Sequence, residues 1–229
     1  MNNVLKVLTK QLSRDESRKI EKVLYGLHRR ISVLEVGCGL GDKMKLLQRM
    51  GFNSILGVEK NPLLVKRAAD RGLNVLSSGE FRDLHPRRHF DLLVMSHVIE
   101  HLSYDSFTGF MDFYLDHLRS GGWLLIITPI LHTGFFMDLD HTRPYYPQGM
   151  QDYFGNGGQQ IQVHSRHRLK LRDIRFRRSP FKLRMNRALL LKRNDFAPRL
   201  CNLLLAFLFK GSFGIIGRKT AWIGLFEKQ

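Results

Sequence analysis

Apolar positions along the chain change period repeatedly, and each change marks a boundary. Ile20, Val23, Leu24 and Leu27 recur at helical spacing and predict a helix leading up to Arg30. Ile31 to Val36 is a short, nearly continuous apolar run ending in glycines, the pattern of a strand buried on both faces. Asp42 is suited to cap a helix through Met50, with Met44, Leu46, Leu47 and Met50 as its apolar members and Gly51 as its stop. A second strand covers Ser54 to Glu59. Asn61 and Pro62 then open a helix that ends at Gly72. Leu73 to Ser77 and Phe90 to Met95 read as the third and fourth strands. The helix from Tyr104 to Leu118 places Phe107, Phe110, Met111, Tyr114, Leu115 and Leu118 on one face, and Gly121 and Gly122 turn the chain into a fifth strand, Trp123 to Thr128. Strands alternating with helices define an α/β class with a doubly wound, mostly parallel sheet.

Beyond Pro129 the rhythm breaks. Thr133 to Pro147 holds two prolines, aromatics and polar groups without helical periodicity, and is expected to be a long functional loop. A short helix at Gln148 to Phe154, a strand at Gln160 to His167, a basic stretch, an apolar stretch from Leu200 to Gly217 and a last strand, Thr220 to Glu227, complete the chain. Its 229 residues suit one domain. Within it we expect an N-terminal helical segment at 1–30, a core at 31–160, a basic and apolar insertion at 161–217, and the last strand at 218–229.

Candidate chemistry concentrates at the first strand-to-helix turn. Glu35-Val36-Gly37-Cys38-Gly39-Leu40-Gly41 lets a ligand approach the backbone closely, and Glu59 at the tip of the second strand suits a ribose diol. The spacing is G-x-G-x-G, where a dinucleotide site has G-x-G-x-x-G. Asp42 follows, where a P-loop requires a Lys with Ser or Thr. Glu35 would repel a pyrophosphate and attract an ammonium group. The implied ligand has a ribose and a positive end.

These residues resemble those of the class I S-adenosylmethionine-dependent methyltransferases. The resemblance is carried by VLEVGCGLG at 33–41, GVEKNP at 57–62, SSGEF at 77–81, FDLLVMSHVIEHL at 90–102 and LRSGGWLLIITP at 118–129, in that family's order over about 100 residues. It implies a seven-stranded sheet whose last strand, Ala221 to Glu227, is antiparallel, and S-adenosyl-L-methionine as cofactor. By resemblance, Glu35, Gly37, Cys38, Gly39 and Gly41 line the methionine end, Glu59 and the adjacent Lys60 the ribose, Glu80 the adenine amino group, and Phe81 the adenine ring. Ser96 and His97 would face the sulfonium.

A methyl sulfonium is already activated, so the enzyme must position the acceptor and, for a hydroxyl, supply a base. His97, Glu100 and His101 form H-V-I-E-H at a helix start, and Asp138, Asp140, His141 and Arg143 lie in the long loop. His97, Asp140 and His141 are the candidate catalytic residues. The D-H-T-R-P-Y run at 140–145 resembles the D-P-T-H-x-R-P-Y segment found in methyltransferases of bacterial surface-polysaccharide and secondary-metabolite clusters, with the order altered. His97 and His101 have the i, i+4 spacing of a metal pair, but H-E-x-x-H is absent, and no metal is expected. Ser96-His97-Val98-Ile99 stands where enzymes acting on exocyclic amino groups of DNA bases resemble one another in an Asn/Asp-Pro-Pro-aromatic motif. Neither Cys38 nor Cys201 is placed for attack on a pyrimidine. Hydroxyl methylation of a sugar, lipid-linked saccharide or small metabolite is the most economical expectation.

The formal charge of +17 changes this picture only locally. Residues 161–193 hold 12 basic residues against Asp173 alone, whereas residues 1–160 hold 20 against 17. Arg166, Arg168, Lys170, Arg172, Arg175, Arg177 and Arg178 alternate with Leu169, Leu171, Ile174 and Phe176 as a strand with a basic face would, and Lys182, Arg184, Arg187, Lys192 and Arg193 extend the run. Three readings stay open: a solvated face, RNA phosphates, or an anionic membrane met together with the apolar stretch. The third is preferred, RNA methylation being the alternative. A non-catalytic cofactor-binding protein is the minor one. Two cysteines and no secretory signal suit a cytoplasmic protein, with peripheral contact at the inner face of a membrane. The glycines, Asn202 and Lys210 keep the apolar stretch below the roughly 20 continuous apolar residues of a spanning helix.

Overall fold

The computed structural model describes residues 15–84, 89–132, 134–155, 162–181, 183 and 196–229. Seven strands form one sheet: β1 (Ser32–Val36), β2 (Ser54–Glu59), β3 (Val75–Ser77), β4 (Phe90–Ser96), β5 (Leu118–Pro129), β6 (Leu169–Ser179) and β7 (Arg218–Lys228). Their order is β3-β2-β1-β4-β5-β7-β6. β7 runs antiparallel to both its neighbours and the other pairings are parallel. Helices α1 (residues 15–23), α2 (Asp42–Arg49), α3 (Pro62–Ala69), α4 (Ser78–Leu84), α5 (Tyr104–Asp116), α6 (Pro147–Tyr153) and α7 (Phe196–Gly211) connect or flank the strands.

The continuous apolar runs are explained by burial on both faces. Leu34, Val36, Leu93, Met95, Leu124 and Ile126 pack into one core layer with α5 and α6. Val33, Leu92, Val94, Leu125 and Ile127 pack into the other with α1 and α2. Asn61 caps α3 by accepting from the Leu63 N–H at 3.0 Å, with Pro62 at the first helical position.

The expected insertion is in part the seventh strand. β6 occupies the sheet edge and pairs with β7 from Leu169 to Ser179, so this part of the basic stretch belongs to the core sheet. Its side-chain pattern explains the irregular spacing: Leu169 and Leu171 face inward, then the register shifts between Leu171 and Asp173, and Arg172 is the extra residue. That bulge returns Ile174 and Phe176 to the inner face. The strand expected at Gln160 to His167 is not one among its described residues, 162–167, because they are strapped to helices instead. Ser165 Oγ donates to Asp112 at 2.6 Å and its N–H to the Tyr153 carbonyl at 2.9 Å, while Arg166 and His167 pair with Asp116. Lys182, Arg184, Arg187, Lys192 and Arg193 lie outside the described residues.

Two further differences bear on function. The third strand is expected to end at Ser77 and no element is expected directly after it, yet α4 opens there. The Ser77 hydroxyl accepts from the Glu80 N–H at 3.2 Å and the Glu80 carboxylate accepts from the Ser77 N–H at 2.8 Å, a reciprocal capping box. The apolar stretch forms α7, which buries Phe209 but exposes Leu200, Leu203, Leu204, Phe207 and Leu208 along one stripe. Among the described residues, no helix is long and apolar enough to cross a membrane.

Candidate active site

The carboxyl ends of β1, β2 and β4 open into a cavity of about 410 Å³, the place where parallel α/β sheets bind ligands. Gly37, Glu59, Lys60, His97 and Asp140 are among its walls, with Ser78, Val98, His101, Leu102, Phe110 and Tyr114. The last six were not singled out from the sequence as lining residues. Tyr114 and Phe110 lie on the buried face of α5, where helical periodicity signals packing and carries no mark of a ligand.

The glycine turn is held by backbone conformation. Gly37 has φ +68° and lies so close to Val98 that a Cβ would approach its methyl to 2.7 Å. Gly41, at φ +76°, ends the turn as the residue preceding α2, and a Cβ there would meet Leu73 at 2.0 Å. Gly39 has open space around its Cα. The buried Glu59 carboxylate accepts from the Gly39 N–H and the Asn61 N–H, both at 2.9 Å, which fixes the acidic group against the turn.

Glu35 stands behind this turn at 2 % exposure, and its Oε2 is buried without a hydrogen-bond partner. Burial pushes its carboxyl up to about 8, against the pull of Lys43 and with help from Asp42. Such an orphaned acceptor costs about 1–3 kcal/mol, and a cationic ligand group would relieve it. The turn, Glu59 and Glu35 therefore fit a ligand with a ribose and an ammonium end. Burial, followed by the Glu35 and Glu59 charges, raises the Cys38 thiol to about 12, so it is a protonated and unreactive sulfur.

Glu80 and Phe81 are not among the walls of this cavity. Glu80 is exposed and its carboxylate is engaged in the α4 cap. Phe81 is fully buried, stacked on Tyr114 at 6.0 Å and 5.0 Å from the His117 ring, inside the core layer that supports α5. Its aromatic partners draw it beneath the cavity wall.

The end of β4 carries a strained residue. His97 has φ +58°, a left-handed conformation uncommon outside glycine. Its Nδ1 lies 2.9 Å from Oε1 of Glu100, which is fully buried and also accepts from the Thr128 hydroxyl at 3.0 Å through Oε2. An ionised carboxylate only accepts, so His97 donates through Nδ1–H and presents its Nε2 lone pair. Ser96 is half-buried beside it. His97 and His101 do not share a helical face, because residues 99–101 form a tight single turn ahead of α5.

The long loop folds back on that turn. The N–H groups of Thr142 and Arg143 donate to the Glu100 carbonyl at 2.8 and 3.3 Å. Asp140 thereby reaches the cavity, whereas His141 packs outside it against Phe135, ring centroids 4.6 Å apart. Arg143, Tyr104, Phe107, Tyr145 and Tyr153 line a second, aromatic cavity of about 440 Å³ next to it.

One network could not be foreseen. Glu16 of α1, 5 % exposed, pairs with Lys43 and with Arg177 at 2.7 Å, and Arg177 Nη1 lies 3.5 Å from His97 Nε2. No local pattern marks Glu16, because its partners lie 27 and 161 residues away. Burial alone would raise its carboxyl, but Lys43 and Arg177 outweigh burial and hold it at about 2. Its stabilisation is thus complete above about 4.5 and lost as pH falls toward 2. A Glu16→Gln chain should lose about 1–3 kcal/mol of stability at pH 7 in urea unfolding and show a shallower decline on acidification. Unchanged stability at pH 7 would show that the two bridges contribute nothing.

The strand order, with its single antiparallel strand, and a glycine turn facing an acidic strand tip define a class I S-adenosylmethionine-dependent methyltransferase. Residues 8–178 match the family model described as a methyltransferase domain, and the chain belongs to that family. It is similar to a solved SAM-dependent methyltransferase from Archaeoglobus fulgidus, at TM-score 0.60 and 17% identity with 93% of each chain covered. It is also similar to a putative sarcosine dimethylglycine methyltransferase from Galdieria sulphuraria, at TM-score 0.57 and 14% identity, with 94% of this chain and 84% of that one covered. The [4+2]-cyclase SpnF shares the architecture as well, at TM-score 0.57 and 15% identity over 92% of this chain and 80% of its own. At such identities the likeness concerns the fold alone. No curated protein sequence matches the chain.

Proposed function

We propose that this methyltransferase acts on a hydroxyl oxygen of a saccharide, lipid-linked saccharide or other small metabolite, and that it does so at an anionic membrane surface. The His97–Glu100 pair carries the first half of the proposal. His97 lies in the wall of the cavity, at the carboxyl end of the strands where the sulfonium end is expected, with Glu100 buried behind it. When bound, S-adenosylmethionine supplies an activated methyl group. His97 Nε2 takes the proton of the acceptor hydroxyl, and the buried Glu100 carboxylate stabilises the imidazolium that results. Arg177 approaches Nε2 only at the limit of hydrogen bonding, 3.5 Å, and Glu16 holds it back. A hydroxyl at a normal hydrogen-bond distance replaces this contact.

The membrane half is supported by α7. Its stripe of exposed leucines and Phe207 continues into exposed Phe213, Ile215 and Ile216, and Lys210, Arg218 and Lys219 are exposed around it. α7 follows the carboxyl end of β6, which runs parallel to β4, so it belongs to the same edge of the sheet as His97. Several arginines of β6 are already neutralised: Arg172 by Glu227, Arg175 by Asp173 and Arg177 by Glu16. This weakens the alternative of an RNA-binding stripe.

The test is methyl transfer from labelled S-adenosylmethionine into total lipid, soluble metabolites and bulk RNA, with flotation on anionic phosphatidylglycerol vesicles at low and high salt. Label in lipid or metabolite fractions is expected, with flotation that a Leu204→Glu/Phe207→Glu chain loses. Label in RNA alone would overturn the acceptor, and flotation unchanged in the double variant would overturn the surface.

A further inference from the structure

We propose that Glu100, His101 and His141 form a three-ligand site for a divalent transition-metal ion beside the cofactor cavity. One donor atom from each lies within 4.8 Å of the others. Metal–ligand bonds of about 2.0–2.2 Å place ligands roughly 3–4 Å apart, so small side-chain rotations close the site.

The surroundings favour ligation over ordinary packing. His101 Nδ1 lies 3.0 Å from the Asp140 carbonyl, and His141 Nδ1 lies 2.8 Å from the Phe135 carbonyl. A carbonyl only accepts, so both rings donate through Nδ1–H. That leaves the Nε2 side of each ring free to turn toward an ion, the arrangement that supports metal-binding histidines, with Asp138 Oδ2 3.7 Å from His141 Nε2 as a further carboxylate beside the site. The two rings face each other with centroids 4.9 Å apart. The Glu100 carboxylate is anchored through one oxygen to His97 and through the other to Thr128, with a lone pair left on each. Neither histidine is exposed, and Glu100 is fully buried. The loop bearing His141 is fastened to the turn bearing Glu100 and His101 by the Thr142 N–H at 2.8 Å, so the three residues come together without an ion to gather them.

Two imidazoles and one carboxylate suit Zn²⁺, Co²⁺, Fe²⁺ or Mn²⁺ better than Mg²⁺, which prefers an all-oxygen shell. Three protein ligands leave positions for water or a substrate oxygen, as in catalytic sites. His101 also lines the cofactor cavity, so an ion there would polarise an acceptor oxygen and help His97 to deprotonate it. That consequence rests on the hydroxyl-acceptor reading. The binding of the ion does not.

The experiment is titration of the metal-stripped protein with Co²⁺, followed by its visible absorption, alongside calorimetry with S-adenosylhomocysteine on the same samples. One Co²⁺ per chain, displaced by Zn²⁺, is expected. Affinity should fall at least tenfold in His141→Ala and in His101→Ala. Retained S-adenosylhomocysteine binding in His141→Ala would show an intact fold and cofactor site. If His141→Ala also loses S-adenosylhomocysteine, His141→Gln and circular dichroism decide whether the fold has failed. No saturable Co²⁺ binding by the wild-type chain, or equal affinity in a folded His141 variant, would overturn the site while leaving the hydroxyl-acceptor reading untouched.

Discussion

A His97→Asn enzyme should bind S-adenosylmethionine nearly as tightly as the wild-type chain and transfer methyl groups about a hundredfold more slowly, or worse. Positioned general bases contribute about 10²–10⁴ in rate, and His97 is an imidazole in the cavity wall with a buried carboxylate behind it. Asparagine is the informative replacement because it tolerates the left-handed backbone that His97 adopts at φ +58°. Alanine would mix lost chemistry with backbone strain of about 1–2 kcal/mol. Single-turnover rates with saturating cofactor, beside a calorimetric titration, separate the two quantities. A variant with undiminished turnover would remove His97 from catalysis and shift attention to Asp140, the other candidate lining the cavity. A loss confined to cofactor affinity would make His97 a binding residue.

The second large effect concerns Glu35 and the protons it carries. Without a cationic partner its carboxyl, raised to about 8 by burial, is mostly protonated at pH 7. Pairing with the ammonium end of the cofactor favours the ionised form, so binding releases close to one proton, and affinity rises nearly tenfold per pH unit between pH 6 and 7.5. For the unliganded chain the sign is opposite. The native state holds this proton up to about 8 while the unfolded chain releases it near 4.5, so the contribution of Glu35 to stability falls as pH rises across that window. Glu35→Gln should flatten both dependences and weaken cofactor binding by about 10–100-fold through loss of a charge-assisted hydrogen bond. Calorimetry at pH 7 in buffers of different ionisation enthalpy counts the proton. An unchanged proton count in Glu35→Gln would assign the linkage to another group.

The sequence carried the sheet well as far as Pro129. Up to there the strands are continuous apolar runs, the helices other than α4 periodic ones, and glycines mark the turns, so local pattern and tertiary structure agree. Beyond it, the alternation around Leu169 to Phe176 was legible as a strand with a basic face, but its place in the sheet was not, because only the fold brings it beside β7. The start of α4 was missed for a different reason. S-x-x-E at 77–80 is a helix-start signal that the neighbouring strand pattern obscured, and a phenylalanine at a cavity rim reads no differently from one below it. The cofactor turn was legible because glycine geometry is local. The Glu16–Arg177 link and the approach of His141 to His101 were not, since they join residues whose proximity only the folded sheet and loop create.

The bulged basic strand has one more consequence, for how copies of this protein meet. β6 ends the sheet on one side and β3, only three residues long, ends it on the other. The bulge at Arg172 bends this strand edge, so that it mismatches the ladder of a second such edge. A bent margin on one side and a three-residue one on the other are poor templates for strand-to-strand joining, which guards against fibrillar self-association in a chain that exposes an oily helix nearby.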